Sequence, residues 1–152
     1  MVVSRLLQTL VSLSAVLVGA QCVRFAHTNP PVQGDLVAPV AVKSILRRAC
    51  YDCHSNETQW PWYSAVAPAS WLIHSHIREG RRRLNFSTWD DYASDPGTKA
   101  QKLKEIAKFV SSGAMAPWYY SMLHPDARLT TAERDAVTRW VMEEAPNLPA
   151  PR

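Results

Sequence analysis

The sequence predicts an all-α fold, on three observations. Apolar residues recur at helical spacing in separate segments of the 152-residue chain. No segment alternates apolar and polar residues over a strand's length. Eleven prolines and five glycines gather mostly between the periodic segments and break them. No internal repeat is visible. The length fits one domain, and the composition divides the chain into residues 1–26, 27–145 and 146–152.

The first segment is a hydrophobic leader. Arg5 precedes a run from Leu6 to Val23 that only uncharged polar residues interrupt, among them Gln8, Ser12 and Gln21. Its 18 residues are just long enough for a short membrane helix. Val18-Gly19-Ala20 also resembles a small-residue cleavage site, so a cleavable signal peptide competes with an anchor. Lipidation at Cys22 is a third reading, opposed by the bulky Gln21 before it. Arg5 and Arg24 flank the run almost evenly, so charge does little to orient it.

Thr28 to Pro39 reads as an extended linker, because Asn29-Pro30-Pro31 and Gly34-Asp35 oppose regular structure. A first helix of the domain starts near Pro39, with Val42, Ile45, Leu46 and Ala49 on one face. Ser55 to Pro68 reads as loop. A second helix runs from about Ala69 to Arg83, with Trp71, Leu72 and Ile77 as its apolar side. Asn85 to Tyr92 reads as irregular. Asp95-Pro96 opens a third helix carrying Leu103, Ile106, Ala107 and Val110, and Gly113 ends it. Thr130-x-x-Glu133 is a capping box that starts a last helix with Ala136, Val137, Trp140 and Val141 inward. Pro146 to Arg152, with three prolines, is expected to fray.

The formal charge is +4, but from His27 onward 15 basic residues face 13 acidic ones. That balance gives no footprint for nucleic acid or another acidic partner. The chemistry lies in Cys50-Tyr51-Asp52-Cys53-His54, which is C-x-x-C-H, the attachment signature of a c-type haem. Two thiols one helical turn apart can each add across a haem vinyl group. The adjacent imidazole then reaches the iron. A thioredoxin-like dithiol would want a strand-to-helix context, which is missing. A zinc site would need two more close ligands, and the only other cysteine is Cys22 in the leader. The cofactor expected is one haem c, held by two thioethers at Cys50 and Cys53 with His54 on the metal.

Several stretches resemble the small bacterial haem-binding domain proteins, which look like membrane-anchored monohaem c-type cytochromes. They are Thr28-Asn29-Pro30-Pro31-Val32, the run from Cys50 to Ser64 (CYDCHSNETQWPWYS), and Ala67-Pro68-Ala69-Ser70-Trp71. Leu84-Asn85-Phe86-Ser87 with Trp89, Gly113-Ala114-Met115 with Trp118-Tyr119, and His124-Pro125-Asp126-Ala127 follow. The resemblance spans about Thr28 to Trp140. It implies a small cytochrome c-like helical domain around one haem. One departure stands out. The family's usual Met-Pro-Pro reads Met115-Ala116-Pro117 here, so one proline that would stiffen the loop is missing.

Met115 is the first candidate for the sixth iron ligand, in a loop between a helix stop and the last helix. A thioether there favours reduced iron and raises the potential. Met122, Met142, one of His74 and His76, or an open position are the alternatives. His124 precedes Pro125 and suits a turn or capping hydrogen bond. Trp60, Trp62, Tyr63, Trp71, Trp118 and Tyr119 are candidates to wall the haem crevice, against the plainer reading that they are ordinary core or surface. Arg78, Arg81, Arg82 and Arg83 read as a solvated helix end complementing the helix dipole. The expected role is an electron carrier rather than an enzyme. It would be held at the bacterial inner membrane facing the periplasm, or be soluble there after cleavage, and would exchange electrons with redox partner proteins. A haem-based sensor or peroxidase-like enzyme is the alternative, and requires an open or displaceable sixth position.

Overall fold

The computed structural model describes residues 2–146, and among them every regular element is helical. Eight α-helices run in order: α1 Val2–Ala20, α2 Val40–Ala49, α3 Tyr51–His54, α4 Ala69–Arg83, α5 Trp89–Ala93, α6 Pro96–Ser111, α7 Trp118–Leu123 and α8 Thr131–Glu144. Short 3-10 turns cover Trp62–Ala65 and Pro125–Ala127. A lone parallel bridge joins Gly34 to Thr88. The fraying expected of 146–152 falls on residues that, apart from Pro146, lie outside the described ones.

The core follows from the apolar periodicity. Val42, Ile45 and Leu46 of α2, Leu103, Ile106, Ala107 and Val110 of α6, and Val137, Trp140 and Val141 of α8 form one buried cluster. The ends of these helices are fixed by their own sequence. Asp95 accepts hydrogen bonds from the Gly97 and Thr98 amides, with Pro96 in the first turn. Thr130 and Glu133 cap α8 reciprocally. Gly113, at φ +69°, takes the left-handed turn that stops α6. Helices α3 and α4 and the Trp62–Ala65 turn pack together as a second group and hold the candidate site.

Five expectations need correction. The leader helix ends at Ala20, three residues before the apolar run does. The 28–39 segment is extended but docked, because Gln33 and Gly34 donate to Ser87 O, Leu36 N donates to Phe86 O, and Leu36 is buried. Residues 85–92 are not all irregular, since α5 begins at Trp89; a five-residue helix is too short to show a period. The loop before the last helix contains α7 for the same reason. Finally, α4 turns Ser70, Ile77 and Gly80 inward and leaves Trp71 and Leu72 exposed. At Gly80 the approach of Cys53 leaves no room for a side chain.

Candidate functional site

The C-x-x-C-H segment continues α2 through a tight joint. Cys50 N donates to Leu46 O at 2.8 Å, and His54 N donates to Cys50 O at 2.9 Å. Tyr51 nails this joint to the core. It is buried, stacks on Phe86 at 5.1 Å between centroids, and donates its hydroxyl to Asp35 Oδ1 at 2.6 Å. His54 O accepts from Phe86 N at 2.7 Å, which fixes the other end.

The residues after His54 form a buried polar lattice. Ser55 Oγ donates to Tyr51 O at 2.7 Å and accepts from Glu57 N at 2.9 Å. Asn56 N donates to Ser87 Oγ, and Asn85 Nδ2 donates to Asn56 Oδ1, both at 2.9 Å. Thr58 Oγ1 donates to Asp52 O at 2.7 Å. Arg81 reaches across this lattice and donates to Ser55 O, Thr28 O, Asn29 Oδ1 and Thr58 Oγ1. It is a half-buried staple, which corrects its reading as part of a solvated helix end. Arg82 and Arg83 do pair on the surface, with Glu79. These lattice residues carry part of the resemblance, and their burial gives them a role that spacing does not show, because buried polar side chains need partners.

His54 is the centre of the site. Its Nδ1 lies 3.1 Å from Gly80 O and 3.1 Å from Leu84 O. Both partners are acceptors, so Nδ1 carries the proton and Nε2 keeps its lone pair for a metal. Burial pushes the His54 pKa down, more than the two carbonyls raise it, so the ring is neutral at pH 7. Gly80 permits the approach. A Cβ built there would stand 2.4 Å from Cys53 O.

Cys50 and Cys53 are free thiols of intermediate exposure. Burial pushes them up to about 12 and about 11, so both stay protonated near neutrality. A dithiol oxidoreductase needs the opposite shift, towards the thiolate. No group of three or more His, Cys, Asp or Glu that could hold a metal ion occurs among the described residues. Two neutral thiols beside one oriented imidazole fit a haem.

A model of the haem-binding domain matches residues 15–143. The chain belongs to the haem-binding domain family. No curated protein and no solved structure matches it. The family assigns haem as the ligand, and in the haem-binding domain the His54 tautomer leaves Nε2 with a free lone pair.

The aromatic candidates do not converge on one wall. Trp60 stacks on His27 at 4.6 Å and on His74 at 4.7 Å, and the two histidines stack on each other at 5.4 Å, on the face of α4 that also carries Trp71. Tyr63 and Tyr119 belong to the Cys53 side. Burial raises both hydroxyls' pKa values, and a negative charge at Cys53 would raise them further. Helix α7 is tied to this side by long side chains. Tyr120 donates to Asp52 Oδ2 at 2.7 Å, Tyr119 stacks on His76 at 5.4 Å, and Tyr63 OH meets His124 Nε2 at 2.5 Å. The His124 ring thus meets Tyr63, while its backbone makes the expected cap and turn: His124 N donates to Tyr120 O and His124 O accepts from Ala127 N, both at 3.0 Å. Trp62 and Trp118 are 81% and 74% exposed. Met115 stands between α6 and α7, 36% exposed, with its amide 3.4 Å from Phe109 O.

Proposed function

We propose that this haem-binding domain is an electron carrier with one covalently attached haem c. The observation that supports it is the His54 imidazole, held by Gly80 O and Leu84 O with Nε2 free, one residue after the protonated thiol of Cys53 and four after that of Cys50. Cys50 and Cys53 would hold the haem through two thioethers. His54 Nε2 would bind its iron, with the two carbonyls keeping the ring from turning. Met115, in the segment that enters α7, would be the second protein ligand. Tyr120 and Asp52 hold α7 against the attachment segment, which limits water access from that side. The haem supplies a one-electron ferric–ferrous couple. The apolar helix α1 anchors the domain to the bacterial inner membrane, and the domain faces the periplasm, where redox partner proteins exchange electrons with it.

The test is direct. Denaturing mass spectrometry of protein from cells competent in cytochrome c maturation should give the chain plus one haem. Bare chain would overturn covalent attachment. Met115→Ala should keep the haem, remove the weak long-wavelength thioether-to-ferric-iron band, lower the potential and admit carbon monoxide. A second reading, a haem sensor or peroxidase-like enzyme, draws on the 36% exposure of Met115, which suits a ligand that is displaced or absent. Carbon monoxide binding to the reduced wild-type protein would favour it.

A further inference from the structure

Helix α1 does not end in a free linker. Gln21, the residue after it, donates from Nε2 to Leu17 O at 2.9 Å and to Ala67 O at 3.3 Å. Its Oε1 accepts from Ala67 N at 3.0 Å. One amide side chain thus engages both backbone groups of Ala67 and ties it to the last turn of α1.

That bond fixes a level. Val2–Ala20 spans 19 residues, or about 28 Å at 1.5 Å per residue, close to the roughly 30 Å hydrocarbon thickness. The last turn of a spanning α1 therefore lies at the membrane–water interface, and Ala67 lies there with it. Around Ala67 the domain exposes apolar side chains: Val66 at 44%, Trp71 at 39% and Leu72 at 52%. Phe25 and Trp71 line a cleft of about 490 Å³ with Arg78 on its wall. An apolar patch with an aromatic ring and a guanidinium beside it matches the headgroup layer, where Trp rings settle and Arg reaches phosphate.

We propose that the domain lies on the bilayer that α1 crosses, with Val66, Trp71 and Leu72 in its interfacial layer and Gln21 as the clamp that sets this tilt. The proposal rests on the anchor reading of α1. A clamped domain presents one fixed face to the periplasm, so the Cys53 side, on the opposite side of α4 from Trp71, would always be offered to partners in the same orientation.

The full haem-loaded chain in phosphatidylcholine vesicles tests this. A benzophenone photo-crosslinker placed at Leu72 should give phospholipid adducts by mass spectrometry. The same group at Lys104, exposed on α6, should give none. Gln21→Ala should lose most of the adduct at Leu72 while the chain still sediments with the vesicles. A chain that sediments with the vesicles yet gives no adduct at Leu72 overturns the interfacial seat and leaves the anchor standing. Persistence of the adduct in Gln21→Ala overturns the clamp. Protein recovered from cells with its N-terminus at Gln21 overturns the anchor, and the proposal with it.

Discussion

Replacing Gly80 by Ala should disturb the His54 side of this domain while leaving the core intact. The new methyl would start 2.4 Å from Cys53 O, 3.1 Å from Cys53 C and 3.3 Å from Cys53 Cβ. Real Cβ atoms stay beyond 3.0 Å, so α4 and the attachment segment must separate by at least 0.6 Å, the difference between 3.0 and 2.4 Å. A separation of that size takes the 3.1 Å contacts of His54 Nδ1 to about 3.7 Å, past hydrogen-bond reach. Overpacking costs about 1–3 kcal/mol and a lost hydrogen bond about 1 kcal/mol, while Ala gains back about 1 kcal/mol of helix propensity. The net cost should be about 1–3 kcal/mol. Denaturant unfolding followed by far-ultraviolet circular dichroism reads this. The fraction of protein that carries haem should fall as well, because His54 is no longer held to one tautomer and orientation. Gly97→Ala is the control. Its Cβ meets nothing closer than Asp95 Oδ2 at 3.6 Å, so stability should hold or rise. Gly80→Ala with wild-type stability and full haem loading would refute the close-approach argument.

Four further outcomes are expected. In the folded apoprotein at neutral pH, iodoacetamide should modify exposed Cys22 first. Cys50 and Cys53 should stay protected until denaturant is added or the pH nears about 11, as peptide mapping would show. His54 has a folded pKa below its ordinary 6.5, so the unfolded chain takes the proton first. The apoprotein should therefore keep this contribution above pH 6.5 and lose stability as the pH falls through 6.5 towards the lowered value, a trend that His54→Gln should flatten in a pH series of melts. Arg81→Met should cost about 2–4 kcal/mol in denaturant, because it strands Ser55 O, Thr28 O and the Asn29 and Thr58 oxygens together. Thr130→Ala should cost about 0.5–2 kcal/mol by thermal melt, with no change in the haem spectrum, since the capping box lies on α8 away from the attachment segment.

The elements legible in the sequence were those with enough length or a side-chain cap of their own. Helices α4 and α8 begin where Ala69 and the Thr130 box place them, and the inward faces of α2, α6 and α8 are the ones their spacing marked. The C-x-x-C-H motif was legible because it is a local pattern, complete within five residues. Helices α5 and α7 were not, because five or six residues do not complete two turns and carry no periodic signal.

The fold class and the family resemblance rest on residue identity and short-range spacing, and so does the choice of Cys50, Cys53 and His54 as candidate donors. How those candidates are presented is a matter of long-range packing. The His54 tautomer depends on Gly80 and Leu84, more than twenty-five residues away, and on a close approach that one missing Cβ allows. The exposure of Trp71 and Leu72 was likewise a tertiary outcome. Helical spacing says which residues share a face, but packing against α3 and the Trp62–Ala65 turn decides which face is buried, and at Gly80 the approach of Cys53 leaves no room for a Cβ.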